Sequence, residues 1–107
     1  MWESKEAFKQ RVRELAEKLG VEIHTISMRA MKNKWASYTK ASGLLIFNTE
    51  LLDMDEEIGD YVIVHELLHF IVPNHGKLWK SLMLAHLGEY ETLEQRLKSI
   101  DLTKQEF

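Results

Sequence analysis

Val64-His65-Glu66-Leu67-Leu68-His69 contains the spacing H-E-x-x-H. On a helix, His65 and His69 lie about 40° apart around the axis and ~6 Å apart along it, so both imidazoles project to the same side. Two imidazole nitrogens at ~2.0–2.1 Å can then share one Zn²⁺. Glu66 is rotated by about 100° from His65, which leaves its carboxylate close to such a metal without aiming it there. That is the position of a general base that takes a proton from an activated water. A catalytic zinc site uses three protein ligands and keeps one position open. His75 stands six residues after His69, just past Pro73, and Asn74-His75-Gly76 supplies turn residues that can bring the chain back toward the pair. With five His in the chain, a chance H-E-x-x-H has a probability of roughly 3 % and a third His at this offset roughly 0.1 %. Two His and a Glu among Val62, Ile63, Val64, Leu67, Leu68, Phe70 and Ile71 would also cost several kilocalories if buried without partners. The expected site is therefore Glu66 as catalytic base with His65, His69 and His75 on Zn²⁺. Nitrogen and oxygen ligands also admit Co, Mn, Fe or Ni.

The elements that must hold these residues follow from periodicity. Ser4 caps a first helix whose Ala7, Phe8, Val12, Leu15, Ala16 and Leu19 share one face, and Gly20 ends it. Val21–Met28 is β-branched and roughly alternating, so it reads as a strand. Trp35–Thr39 and Leu44–Phe47 flank Lys40-Ala-Ser-Gly43, a hairpin turn, which predicts a small antiparallel meander. Asp53, Asp55, Glu56 and Glu57 crowd the start of the next helix, which they open and which should run through Ile58 to about Val72 and stop at Pro73. A further helix covers about Lys77 to Leu87. Thr92-Leu-Glu-Gln95 reads as a capping box for a last one, with Leu93, Leu97 and Ile100 on one side. The order predicts an α+β fold: an N-terminal helix, about three antiparallel strands, the H-E-x-x-H helix and two C-terminal helices.

Length and composition exclude much else. The 107 residues suit one domain over residues 1–107, and 45 % apolar with 29 % charged residues excludes a disordered or fibrous chain. Cysteine is absent, so thiolate metal sites, thiol nucleophiles and disulfides are out. The charged N-terminus lacks the apolar stretch of a signal peptide, and no apolar run approaches the ~20 residues of a membrane span, so the expected location is cytoplasmic. A net charge of −3 implies neither a nucleic-acid nor a membrane partner. The cluster Arg29, Lys32, Lys34 and Lys40 reads first as a solvated basic hairpin; as an anion site it would point to a nucleotide-type substrate for the same metal chemistry. His24 reads as a surface strand residue, His86 as packing, and Trp35 and Trp79 as core aromatics.

From Arg29 to Tyr90 the chain resembles the YgjP-like metallopeptidase domain, a relative of the SprT and WLM zinc peptidase domains within the zincins. The resembling pieces are Met31-Lys-Asn-Lys-Trp-Ala-Ser37, Leu45-Ile-Phe-Asn48, Asp60–His69, Pro73-Asn-His75 and Leu78-Trp79. The resemblance implies a peptidase acting on peptide or protein substrates, with His65, His69 and His75 on the metal and Glu66 as base. Lys34-Trp-Ala-Ser-Tyr38 departs from the family's Arg-Trp-Gly-Ser-Cys, and Leu78-Trp79 from its Phe-Trp, which bears on substrate preference. The size is also similar to that of the minigluzincins, where a Glu from a later helix is the third ligand; Glu89 and Glu91 stand in that position here. Leu44–Asn48 would offer a strand edge to an extended peptide. The C-terminal segment ending Gln105-Glu106-Phe107 is a candidate restraint on the site, directly or through self-association. A latent or non-catalytic metal-binding module is the remaining alternative.

Overall fold

The computed structural model describes residues 1–72 and 74–100. Helix α1 (Lys5–Leu19) begins where Ser4 accepts the Ala7 N–H at 3.1 Å and ends where Gly20 turns left-handed, φ 72°. It buries Phe8, Val12, Leu15 and Ala16, the face that the spacing predicts. Strand β1 is shorter than the sequence suggests, Thr25–Arg29, and is followed by β2 (Ala36–Thr39) and β3 (Leu44–Asn48). The Lys40–Gly43 turn closes the β2–β3 hairpin. Gly43, at φ 66°, carries no side chain where His24 packs, and its carbonyl accepts the His24 N–H at 2.9 Å.

The sheet corrects the expected antiparallel meander. Its order is β1-β3-β2, with β3 antiparallel to β2 but parallel to β1. The most apolar strand takes the centre, with Leu45 and Phe47 fully buried. Asn48 fixes the path that allows this. Its side-chain amide donates to the Met31 and Lys34 carbonyls, both at 2.9 Å, and pins the β1–β2 connection across the end of β3. Since β3 is bonded on both sides, it has no free edge for a peptide; the edge strands are β1 and β2.

A 3₁₀ turn, Thr49–Asp53, leads into α2 (Glu56–Leu68), which is followed by α3 (Lys77–Leu87) and α4 (Glu91–Ile100). Helix α2 is the centre of the molecule, buried on nearly every side from Ile58 to Leu68 and packed against α1, β2, α3 and α4. Two ion pairs tie neighbours to it. Arg11 of α1 donates twice to Asp60, both at 2.9 Å, and Arg96 of α4 pairs with Asp55 at its first turn. Near the start of α2, Gly59 lies under the Trp2 indole; a Cβ there would sit 2.4 Å from Trp2 Cζ2.

Helix α2 stops at Leu68 rather than Val72. From His69 the backbone tightens: Phe70 and Ile71 N–H groups bond three residues back, to Leu67 and Leu68 carbonyls at 3.1 and 3.0 Å. Pro73, the expected stop, lies outside the described residues. Helix α4 starts at Glu91, which puts Thr92 inside the first turn instead of at a capping box. Buried Tyr90 sets that start through its packing on Tyr61 and Trp79, and its carbonyl accepts the Glu94 N–H at 3.0 Å. Leu97 is buried and Leu93 partly so, but Ile100 is exposed. Among the described residues no helix is long and apolar enough to cross a membrane.

Candidate functional site

His65 and His69 occupy the last turn and the cap of α2, one above the other, with ring centroids 4.9 Å apart. His75 comes from the α2–α3 connection, where Asn74 Oδ1 accepts the Gly76 N–H at 3.1 Å and bends the chain back. The three imidazoles offer ligand atoms that all lie within 4.8 Å of one another, and among the described residues no other His or carboxylate forms such a group. Glu89 and Glu91 are not brought to it. Both are exposed; Glu89 lines a separate groove with His86, Glu57, Asp60 and Arg96. His24 is exposed at the start of β1.

The geometry suits a tetrahedral ion. Two nitrogens each ~2.05 Å from such an ion lie about 3.3 Å apart. His69 Nε2 and His75 Nε2 are 3.3 Å apart. Electrostatics point the same way. Burial, reinforced by the neighbouring imidazoles, lowers the His65 pKa to about 3, and His69 falls to about 4 by burial and the charge of His75. Both rings are thus neutral at pH 7, the form that ligates. Glu66 is 0 % exposed, and neither carboxylate oxygen has a hydrogen-bond partner among the described residues. Its Oε1 is 3.9 Å from His65 Nδ1. Burial raises its pKa to about 8, with Lys34 opposing. Leaving such a group unpaired costs several kilocalories. A cation with its water would relieve that cost.

Aromatic rings enclose the cluster. Tyr38 of β2 stacks on His69, centroids 4.9 Å apart and planes 4° apart. Trp79 of α3 lies 4.4 Å from His75 at 32° and meets His65 nearly edge-on, 5.0 Å at 78°. Tyr61 meets the other side of His65 at 5.9 Å. The sequence reading placed Trp79 in the core, where it is, but missed its position against His75; its place in the first turn of the helix that follows His75 carried that signal. Tyr38 had no comparable signal, because its partner lies on another element.

Comparison with known proteins gives a concordant picture. The model of the YgjP-like metallopeptidase domain family matches residues 2–100. Uncharacterized protein MJ0123 of Methanocaldococcus jannaschii is 32 % identical over 102 residues, covering 92 % of this chain and 93 % of that protein. Among solved structures, the metallopeptidase zymogen jannalysin of the same organism superposes with TM-score 0.75 at 32 % identity, covering 87 % of this chain and 93 % of that one. The metallopeptidase zymogen abylysin of Pyrococcus abyssi superposes with TM-score 0.78 at 17 % identity, covering 91 % and 97 %; at that identity the likeness is one of fold.

Proposed function

Since the chain belongs to the YgjP-like metallopeptidase domain family, we propose that it is a zinc-dependent peptidase in which His65, His69 and His75 hold the metal and Glu66 is the general base. The observation that carries this reading is the meeting of three imidazoles beside a fully buried carboxylate with no hydrogen-bond partner among the described residues. Zinc held there would polarise the scissile carbonyl and acidify a coordinated water. Glu66 takes the proton of the attacking water and passes it to the leaving amine nitrogen. Burial raises the Glu66 pKa in the metal-free chain, and a cation beside it would favour the ionised carboxylate that a base requires. His65 and His69, fixed on one helix, set two ligand positions without rearrangement. Strand β2, an edge strand of the sheet, carries Tyr38, which stacks on His69. An extended peptide pairing with that edge would be aligned by backbone hydrogen bonds.

The experiment is metal analysis of the purified chain together with Glu66→Gln. The variant should keep about one zinc per chain and lose hydrolysis by ~10² or more. Peptides and nucleotides assayed side by side, with and without chelator, decide the substrate class; chelator-sensitive turnover of nucleotides alone would replace peptidase with another hydrolase. The zymogen state of crystallised jannalysin supports a further point, that this chain is also made in a latent form. Residues 102–107, the expected restraint, lie outside the described residues.

A further inference from the structure

We propose that Trp79 is a positioning residue for the third metal ligand: its indole holds His75 in the ligating orientation. This rests on the metal reading above and extends it to a residue that offers no ligand atom of its own. The three imidazoles are not equally constrained. His65 and His69 are buried at the end of a helix that is packed on nearly every side. His75 lies outside every helix and strand and is exposed. An exposed side chain on a connection must give up its rotamer freedom to ligate, and that loss is charged against metal affinity unless something orders the ring beforehand.

Trp79 does so by helix geometry. Side chains on a helix lean toward its N-terminus, so a residue in the first turn covers the chain just before it. Helix α3 begins at Lys77 with Gly76 as its cap, and Trp79 is its third residue. Its ring therefore falls back over residue 75, where the indole and imidazole centroids are 4.4 Å apart with planes 32° apart. The indole is itself held: it is 4 % exposed and wedged edge-on between His65 at 5.0 Å and Tyr90 at 6.1 Å. Tyr90 stacks in turn on Tyr61, at 6.4 Å and 10°. Trp79 Nε1 has no hydrogen-bond partner among the described residues, so ring packing alone sets its orientation. Ligating histidines are ordinarily oriented by a hydrogen bond to the second ring nitrogen. For His75 the aromatic face replaces it.

The test is a double-mutant cycle read by competitive chelator titration with Zn²⁺. Trp79→Leu should weaken zinc binding about tenfold or more, the range seen when groups that orient ligands are removed. Trp79→Phe, which keeps an aromatic face, should restore affinity to within about threefold. In a His75→Ala background, Trp79→Leu should change affinity by less than about twofold, because the ring it orients is gone. A loss of equal size in both backgrounds makes Trp79 merely structural and overturns the proposal while leaving the metal site intact. A wild-type chain that binds no zinc overturns the metal reading itself, and this inference with it. If Trp79→Leu does not fold, Trp79→Met takes its place as a filler without a rigid face. Independently of any variant, nuclear Overhauser contacts between the indole and the His75 ring are expected in the metal-free protein. Their absence overturns the preorganisation.

Discussion

Replacing Glu66 by a group that does not titrate should change the pH dependence of stability in a calculable way. In the metal-free folded chain its carboxyl holds a proton up to about pH 8, whereas an unfolded glutamate loses it near 4.5. Between those values the folded state binds one more proton than the unfolded state, so raising the pH favours unfolding by about 1.4 kcal/mol per unit. This contribution is fully present below pH 4.5, declines through the window and is exhausted above 8, for a total of about 5 kcal/mol. Gln at position 66 has the same shape and no titration. The histidines titrate in both proteins and cancel in the difference. Urea unfolding in the presence of chelator, at pH 5, 6, 7 and 8, should therefore show Glu66→Gln gaining on wild type by about 1 kcal/mol or more per pH unit. A difference that stays flat from pH 5 to 8 would refute the claim that the folded chain buries this carboxyl uncharged. Added zinc should narrow the gap at pH 8, because a nearby cation favours the carboxylate.

Other substitutions test the site and its frame. His75→Ala should reduce zinc affinity by at least ~10²-fold with the fold retained by circular dichroism, whereas Glu89→Ala and Glu91→Ala should bind as wild type does; the reverse pattern would move the third ligand to α4. Gly59→Ala should destabilise by about 1–3 kcal/mol in thermal or urea unfolding, because its Cβ would displace Trp2. With Trp2→Ala already present, the same change should be neutral or stabilise by up to ~1 kcal/mol, the helix preference of Ala over Gly. Deleting residues 102–107 should raise peptidase activity at constant zinc content if that segment restrains the site; activity that is unchanged across protein concentrations rules this out.

What the sequence disclosed and what it hid divide along local and non-local lines. The pairing of His65 with His69, and the bend that returns His75, are consequences of helix pitch and a turn, so spacing alone revealed them. The face of α1 and both of its caps were equally readable. Strand order was not. Leu44–Phe47 alternates in the same way whether it lies at an edge or in the middle, and its parallel partner β1 is separated from it by the whole of β2. The Thr92 capping box failed because Tyr90, packed on Tyr61 and Trp79, sets where α4 begins. The end of α2 was read too late because four apolar residues follow Leu67 in a pattern that a helix would also accept.

The strand order also favours one sequence of events in the folding chain. The β2–β3 hairpin closes across a four-residue turn and can form within microseconds. Strand β1 pairs with the returning arm of that hairpin, and bringing the two together means closing a much longer loop, so it is expected to add later. In the interval, Leu44-Leu-Ile-Phe47 presents a bare, uncharged strand edge with no proline. That is the profile of a segment that recruits a second chain. Strand β1 is thus a cover as well as a structural member. Changes that weaken it, at partly buried Ile26 or buried Met28, are therefore expected to lower the yield of soluble protein before they reach the metal site.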